Sequence, residues 1–403
     1  MSVKFDEIQS EVLEQIYEPR REFSQVLNIR GFAGTGKSTI SGDVFLQRPS
    51  WSFIAPTNKA VQVLKQKGVL SAQTMFSFIY QCKGEDNNYD EDHHKFLSSR
   101  LSDVRFVDEK LKIQNSIRKL TGDNRKLRYD EKHEDGDLKH KTVVLDESSM
   151  VTDENFEALI RTGARIITFG DSGQLPPVKG KPFLAEGRED YLLTRVYRQK
   201  GESLVLDIAT ELRQKESTSF IFHKSCPVRD IPYCVDMKLN DLLEIMPHFD
   251  QTIAYRNSTV CTLNHKYRTQ ILGYSENYLA KGEKLMVLSN NKGLKVYNGQ
   301  SLDVLEETPI ERYMQVKTID PITETLQENI FSNQNLSLNE PLDPYNRTEY
   351  EVFADYSYTM TCHKAQGSAW PKVLVVLQGG ESWRWVYTAV TRASEDVLIV
   401  RLR

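Results

Sequence analysis

The sequence predicts an α/β protein with two parallel-sheet lobes, an inserted subdomain in the first and a small β-barrel insertion in the second. Three observations carry this. Apolar, strand-like runs alternate with helix-like stretches in both halves of the 403-residue chain. A glycine-rich turn follows the first strand of the first set, and the second set has no counterpart. Each set is interrupted by a long segment that departs from this pattern.

The first set of strand-like runs is QVLNIR (25–30), WSFIA (51–55), TVVL (142–145), RIITFG (165–170) and YLLT (191–194). The first runs into GFAGTGKST, Gly31–Thr39, which matches G-x-x-x-x-G-K-[ST] at every fixed position. The chemistry explains the spacing. Gly31, Gly34 and Gly36 let backbone N–H groups curl around phosphate oxygens, Lys37 reaches the β- and γ-phosphates, and the Ser38 hydroxyl can ligate Mg²⁺. ATP and Mg²⁺ are therefore expected, held by Gly34, Thr35, Gly36, Lys37, Ser38 and Thr39. VVLDESSM (143–150) ends an apolar run in two acids, which places Asp146 and Glu147 at the C-terminal edge of a buried parallel strand. There Asp146 would share the metal with Ser38, and Glu147 would polarise an attacking water. Standing alone, the segment would read first as a strand end followed by an acidic helix cap.

GDSGQLPPV (170–178) follows the strand RIITF directly, so Gln174 can sense a γ-phosphate beside the glycine loop. LTRVYRQ (193–199) presents Tyr197, a ring able to stack on a base, and Arg198, a guanidinium for phosphate. Between the second and third strands, residues 79–140 are nearly half charged with mixed signs, and they hold four of the eight histidines. A bare loop of that length is implausible in a compact domain, so a small inserted subdomain is expected, with a charged spacer as the alternative.

The second lobe is marked by QTIAY (251–255), YSYTM (356–360), KVLVVL (372–377) and DVLIVR (396–401). Lacking nucleotide-binding glycines, it is suited to close over a nucleotide held by the first lobe. WVYTAVTRASEDVLIV carries Arg392 just before the last strand. A lone arginine reads as a surface ion pair, but here the apolar surroundings put it at a lobe edge, where it could act as an arginine finger. The stretch GEKLMVLSNNKGLKVYNGQSLDVLEE has short alternating segments broken by Asn-Lys-Gly and Asn-Gly turns, the pattern of a small barrel. The expected organisation is thus a first lobe of 1–78 and 141–185, an insertion of 79–140, a second lobe of 186–290 and 351–403, and a barrel of 291–350.

Composition limits the partners. A net charge of −4 argues against binding nucleic acid by bulk positive charge, though not against a local channel. No window approaches a membrane span, and the five scattered cysteines form no C-x-x-C, so a cytoplasmic, reducing compartment is expected.

Taken in order, FDEIQSEV, GFAGTGKST, APTNKAV, AQTMFSF, VVLDESSM, GDSGQLPPV, VYRQ, IAYRNSTVCTLN, YTMTCHKAQGSAW and VYTAVTRA resemble the motifs of the superfamily 1 helicases. Within them the set is most similar to the 1B branch typified by RecD and the Dda helicase of T-even phages, and the resemblance covers almost the whole chain. It implies that both lobes are RecA-like and the barrel SH3-like. Gln9 is implied to read adenine, Tyr197 to stack on it, Arg198 and Arg392 to be two arginine fingers, and Gly367 to sit where nucleotide state is communicated to nucleic acid. The implied activity is ATP-dependent 5′→3′ unwinding of DNA, with single-stranded DNA and duplex junctions as partners. A replication or recombination protein is a further candidate partner, action as a monomer is expected, and the 79–140 insertion is implied to carry a duplex-splitting pin. Candidates for the strand grip are Thr57, Asn58, Thr74, Asn257, Thr361 and His363, whose hydroxyl, amide and imidazole groups suit phosphate oxygens without reading sequence, together with Pro56 beside Thr57. Phe76 and Phe78 are candidate stacking platforms, although the family often places a histidine where Phe76 stands. An RNA helicase and an ATP-driven switch that does not move on nucleic acid remain the alternative readings.

Overall fold

The computed structural model describes residues 5–18, 25–82, 129–131, 138–178, 180–183, 189–195, 203–225, 232–274, 277–291, 294–310, 313–320, 326–332 and 351–403. Contacts divide the chain into two units, Met1–Gln81 with Glu131–Val260 and Thr359–Arg403, and Cys82–Asp130 with Cys261–Tyr358. Both parallel sheets belong to the first unit and the barrel to the second.

The strands of the N-terminal part are β1 (Val26–Gly31), β2 (Ser52–Ala55), β3 (Gln73–Thr74), β4 (Tyr80–Cys82), β5 (Tyr129–Glu131), β6 (Thr142–Leu145), β7 (Arg165–Gly170) and β8 (Tyr191–Leu193). Six of them form one sheet in the order β3-β2-β6-β7-β1-β8 with every pairing parallel. β8 belongs to this sheet, so the first lobe extends beyond the 185 boundary read from the sequence. β4 and β5 form a separate two-stranded ladder. Apart from that ladder, Ile79 and residues 138–140, the expected 79–140 insertion lies outside the described residues.

Alternation along the strands splits the core in two. Leu27, Ile29, Phe53, Val144, Ile167 and Phe169 meet one layer of helices, and Ile54, Val143, Leu145 and Ile166 meet the other. The helices concerned are α1 (Glu7–Tyr17), α2 (Lys37–Gln47), α3 (Asn58–Gln66), α4 (Met75–Ile79) and α5 (Asp153–Arg161). Their starts are set by short polar side chains, since Asp6, Thr57, Thr74 and Thr152 each accept a hydrogen bond from an N–H of the first turn.

The second parallel sheet has the order β18-β10-β19-β20-β9, formed by β9 (Cys234–Met237), β10 (Gln251–Ala254), β18 (Thr359–Thr361), β19 (Trp370–Leu377) and β20 (Ala393–Leu402). Around it lie α6 (Leu204–Lys215), α7 (Leu239–Ile245), α8 (Asn257–Lys266), α9 (Cys362–Ala365) and α10 (Trp383–Val390). α6 packs on both α10 and β20. The run YSYTM, expected as one strand, is divided, because Tyr356 ends a barrel strand and Thr359 begins β18.

In the other unit β11 (Tyr278–Leu279) pairs with β14 (Thr308–Pro309), and a closed barrel is built from β12 (Lys284–Val287), β13 (Ser301–Val304), β15 (Tyr313–Ile319), β16 (Leu326–Ser332) and β17 (Glu351–Tyr356). Closure requires β12 to pair with β17; β12 falls within the GEKLMVL stretch whose alternation points to a barrel but before the 291 boundary, and β17 lies beyond the 350 boundary. Leu285, Val287, Leu302, Val304, Val316 and Phe331 fill its interior.

Beside the barrel a π-helical turn, Tyr267–Ile271, buries Arg268 against Glu283, which also accepts from the Ala280 N–H. Burial, with the Glu283 charge added to it, pushes the Tyr358 hydroxyl well above its ordinary range. Arg268→Met leaves Glu283 without its cation in a dry site. It is expected to destabilise the protein by about 3–5 kcal/mol in urea titrations. An unchanged midpoint would show that the pair contributes nothing.

Candidate active site

The glycine loop connects β1 to α2 at the carboxyl edge of the first sheet. A Cβ at Gly31 would stand 2.5 Å from Thr35 Oγ1 and 2.9 Å from Leu193 Cβ, so only glycine lets the loop fold so tightly. Gly34 and Gly36 have φ of 78° and 84°, and Gly36 caps α2. Thr35 is buried, and its hydroxyl donates to Phe32 O at 2.8 Å. Ser38 and Thr39 are exposed on the first turn of α2. Lys37 donates to Gly31 O at 2.7 Å and Phe32 O at 2.8 Å, folding its ammonium across the loop. Burial pushes that ammonium below its ordinary range, against the opposing carboxylates of Asp171, Glu147 and Asp146.

Asp146 follows β6, and its Oδ1 accepts from the Glu147 N–H at 2.9 Å. Glu147 occupies the left-handed region at φ 54°, a strained conformation for a residue with a side chain. Desolvation raises both carboxyls above the usual range, and at Glu147 the nearby Arg392 charge opposes it. Gln174, 7% exposed, sits in the loop after β7, and its Oε1 is buried without a hydrogen-bond partner. A buried orphan acceptor suits a site that holds water or a bound group.

Gln9 is buried by α1 and fully engaged. Its Oε1 accepts from the Asp6 N–H at 3.2 Å, and its Nε2 donates to Thr35 O at 3.1 Å. It lines a hollow with Asp6, Ile8, Thr35, Leu193, Thr194 and Arg195. Tyr197 and Arg198 lie outside the described residues.

From the second sheet, Arg392 arrives between α10 and β20. It is 6% exposed, and it donates from Nε to Thr388 O at 3.1 Å and from Nη1 to Ser368 O at 3.2 Å. Gly367, at φ 76°, faces Ala60 of the first lobe. Close by, Lys59 donates to Lys364 O at 3.3 Å and stands 5.4 Å from the Trp370 ring centroid.

Burial, helped by the Arg392 charge, pushes Lys59 down to about 8 from 10.5. The unfolded chain keeps this proton to higher pH than the folded one, so Lys59 makes stability rise with pH between about 8 and 10.5. Lys59→Met is expected to flatten the dependence of Tm on pH across that window relative to the parental protein. An unchanged slope would show that Lys59 titrates as an exposed lysine does.

The candidate strand contacts lie along the same carboxyl edges. Pro56 and Asn58 flank Thr57, the cap of α3, and Thr74 caps α4. Asn257 begins α8, Thr361 ends β18, and His363 is exposed on α9. Phe76 is 48% exposed with its ring 4.7 Å from that of Tyr80. Phe78 is a correction to the sequence reading. It is 2% exposed in the core with Ile54 and Phe156, because the segment is a helix and a spacing of two puts the rings on opposite faces.

Three residues without a role in the sequence reading also meet here: Asp171, Arg213 and Tyr387. Asp171 and Tyr387 stand within conspicuous motifs, but Arg213 carries no local signal.

Residues 4–224 match the AAA domain family and residues 356–400 the UvrD-like helicase C-terminal domain. No curated protein sequence matches the chain. Among solved structures it is similar to Pif1 helicase from Bacteroides in complex with ADP-AlF3 and ssDNA, at 17% identity and TM-score 0.53, covering 98% of this chain and 92% of that one. It is also similar to Pif1 helicase from Candida albicans, at 16% identity and TM-score 0.52, covering 99% and 94%. A structure of two coordinating Pif1 helicases on forked dsDNA gives 16% identity and TM-score 0.54, covering 98% and 92%.

Proposed function

We propose that this chain, which belongs to the AAA domain family over residues 4–224, is a superfamily 1B helicase, an ATP-hydrolysing motor that moves 5′→3′ along single-stranded DNA and unwinds duplex DNA at junctions. The observation that carries this reading is Arg392, delivered from the second sheet to the neighbourhood of Glu147 on the first. Hydrolysis needs a phosphate cradle and a base on one side of the γ-phosphate and a cation on the other; in this reading the first lobe carries the cradle and the base, and the second the cation.

In this reading the hollow beside Gln9 takes the adenine, and Lys37 turns from the loop carbonyls toward the β- and γ-phosphates. Ser38 and Asp146 are the residues that would hold Mg²⁺, which when bound neutralises phosphate charge. Glu147 accepts the proton of the attacking water, Gln174 orients that water or the γ-phosphate, and Arg392 stabilises the charge that develops. Lobe closure depends on the γ-phosphate, so hydrolysis releases it, and Gly367 against Ala60 is suited to pass the change to the strand. Pro56, Thr57, Asn58, Thr74 and Phe76 on one lobe, and Asn257, Thr361 and His363 on the other, grip the strand in turn. Pif1 structures that contain ssDNA or forked dsDNA support DNA as the track.

The test is strand displacement on DNA and RNA duplexes bearing 5′ or 3′ tails, with ATPase measured with and without single-stranded DNA. Displacement of the 5′-tailed DNA alone, with strongly stimulated ATPase, is the expected result. Preference for a 3′ tail or for RNA would overturn the polarity or the substrate, and ATPase indifferent to nucleic acid would favour a switch.

A further inference from the structure

A joint of polar side chains links the loop after β7 to helix α10, and the hydrolytic roles assigned above leave it unused. Asp171, 1% exposed, accepts from Arg213 Nη1 at 2.6 Å, from the Tyr387 hydroxyl at 2.6 Å and from the Gly173 N–H at 3.0 Å. Arg213 also donates from Nη2 to Ser172 Oγ at 2.7 Å, and its guanidinium stands 4.2 Å from the Phe32 ring centroid. The Tyr387 hydroxyl in turn accepts from the Ala33 N–H of the phosphate loop at 3.0 Å. Any Cβ at Gly173 would fall inside the Arg213 guanidinium, so the glycine is what admits the cation. One residue further along α10, Thr388 Oγ1 accepts from the Leu175 N–H at 2.8 Å, while Gln366 Nε2 donates to Leu175 O at 3.2 Å.

We propose that Tyr387, held by Asp171 and Arg213, is a positioning residue that couples the phosphate loop to the approach of Arg392. The inference rests on ATP hydrolysis at this loop and not on the nucleic acid or the direction of travel. Ala33 lies inside GFAGTGK, so its N–H belongs to the ring of donors that a phosphate can draw on. Any rearrangement of the loop must therefore move or break its bond to Tyr387. Tyr387 and Arg392 lie on and just beyond one rigid helix, roughly 7 Å apart along its axis, so a displacement of one is delivered to the other. Burial and the Asp171 carboxylate push the Tyr387 hydroxyl well above its ordinary range, which keeps it a donor to Asp171 and an acceptor from Ala33. Phenylalanine would take the acceptor from the Ala33 N–H and one of its three donors from Asp171 while preserving the ring.

Tyr387→Phe is expected to lower kcat for ATP hydrolysis about tenfold or more, with KM for ATP changed less than about twofold and Tm nearly parental. Arg213→Lys keeps the charge but cannot bond Asp171 and Ser172 together, so it should do the same to a lesser degree. Combined, the two substitutions should cost less than the product of their separate effects, because they interrupt one joint. A residue that is merely structural would lower Tm and leave kcat per folded molecule unchanged. Parental kcat in folded Tyr387→Phe, or strictly multiplicative effects, would overturn the proposal. Should Tyr387→Phe fail to fold, parental kcat in folded Arg213→Lys would do so. Each measurement is made without nucleic acid as well as with it. A parental enzyme indifferent to single-stranded DNA would remove the DNA reading and leave this test standing.

Discussion

Arg392→Ala is expected to lower kcat for ATP hydrolysis on the order of 10³-fold or more, with a much smaller change in nucleotide affinity. The guanidinium is held by two backbone carbonyls, Thr388 O and Ser368 O, and its charge acts on Glu147 across the lobe boundary. A cation fixed in advance and sheltered from water stabilises charge that appears only as the γ-phosphate leaves, so its loss falls on the transition state more than on binding. Phosphate release under saturating ATP, set beside equilibrium binding of a fluorescent nucleotide, separates the two. Because Arg392 is buried, Tm is measured on the same samples. Near-parental turnover in a folded Arg392→Ala protein would make the arginine structural.

For Glu147→Gln the expectation is parental ATP binding with turnover reduced about 10²- to 10⁴-fold, the ordinary contribution of a positioned base. Glutamine has nearly the same shape but cannot take a proton from water. Burial raises the carboxyl above the usual carboxylate range, and the Arg392 and Lys37 charges oppose that shift. Its left-handed backbone indicates that the chain spends conformational energy to aim it. Single-turnover hydrolysis is the decisive measurement, because it reads the chemical step without product release. A parental single-turnover rate would assign the base to another group, and Asp146 would be the next to test.

These two expectations draw on different kinds of information in the chain. The phosphate loop, the Asp146 and Glu147 edge and the Gln174 loop are legible in the sequence, because each is a local solution in which a few consecutive residues must meet one chemical demand. The long strands are legible for a similar reason, since TVVL, RIITFG and KVLVVL are buried on both faces and must be apolar throughout. β3, with two residues, and β9, with half-buried ones, carry too little of that signal. Barrel closure was misplaced because it depends on β12 meeting β17 far along the chain, which no local pattern encodes.

Phe76 and Phe78 illustrate the same limit on a smaller scale. The two rings are chemically identical in the sequence, and only the helix sends one to solvent and the other into the core. The joint of Asp171, Arg213 and Tyr387 lies furthest from local reading. Asp171 and Tyr387 are separated by 216 positions, and Arg213 belongs to a helix with no motif of its own. The sequence by itself determined which groups could bind and cleave a nucleoside triphosphate, since that chemistry is written in short spacings. Only the tertiary structure decided which hydroxyl meets the loop, since Asp171, Arg213 and Tyr387 lie on elements far apart in the chain whose edges the fold brings together.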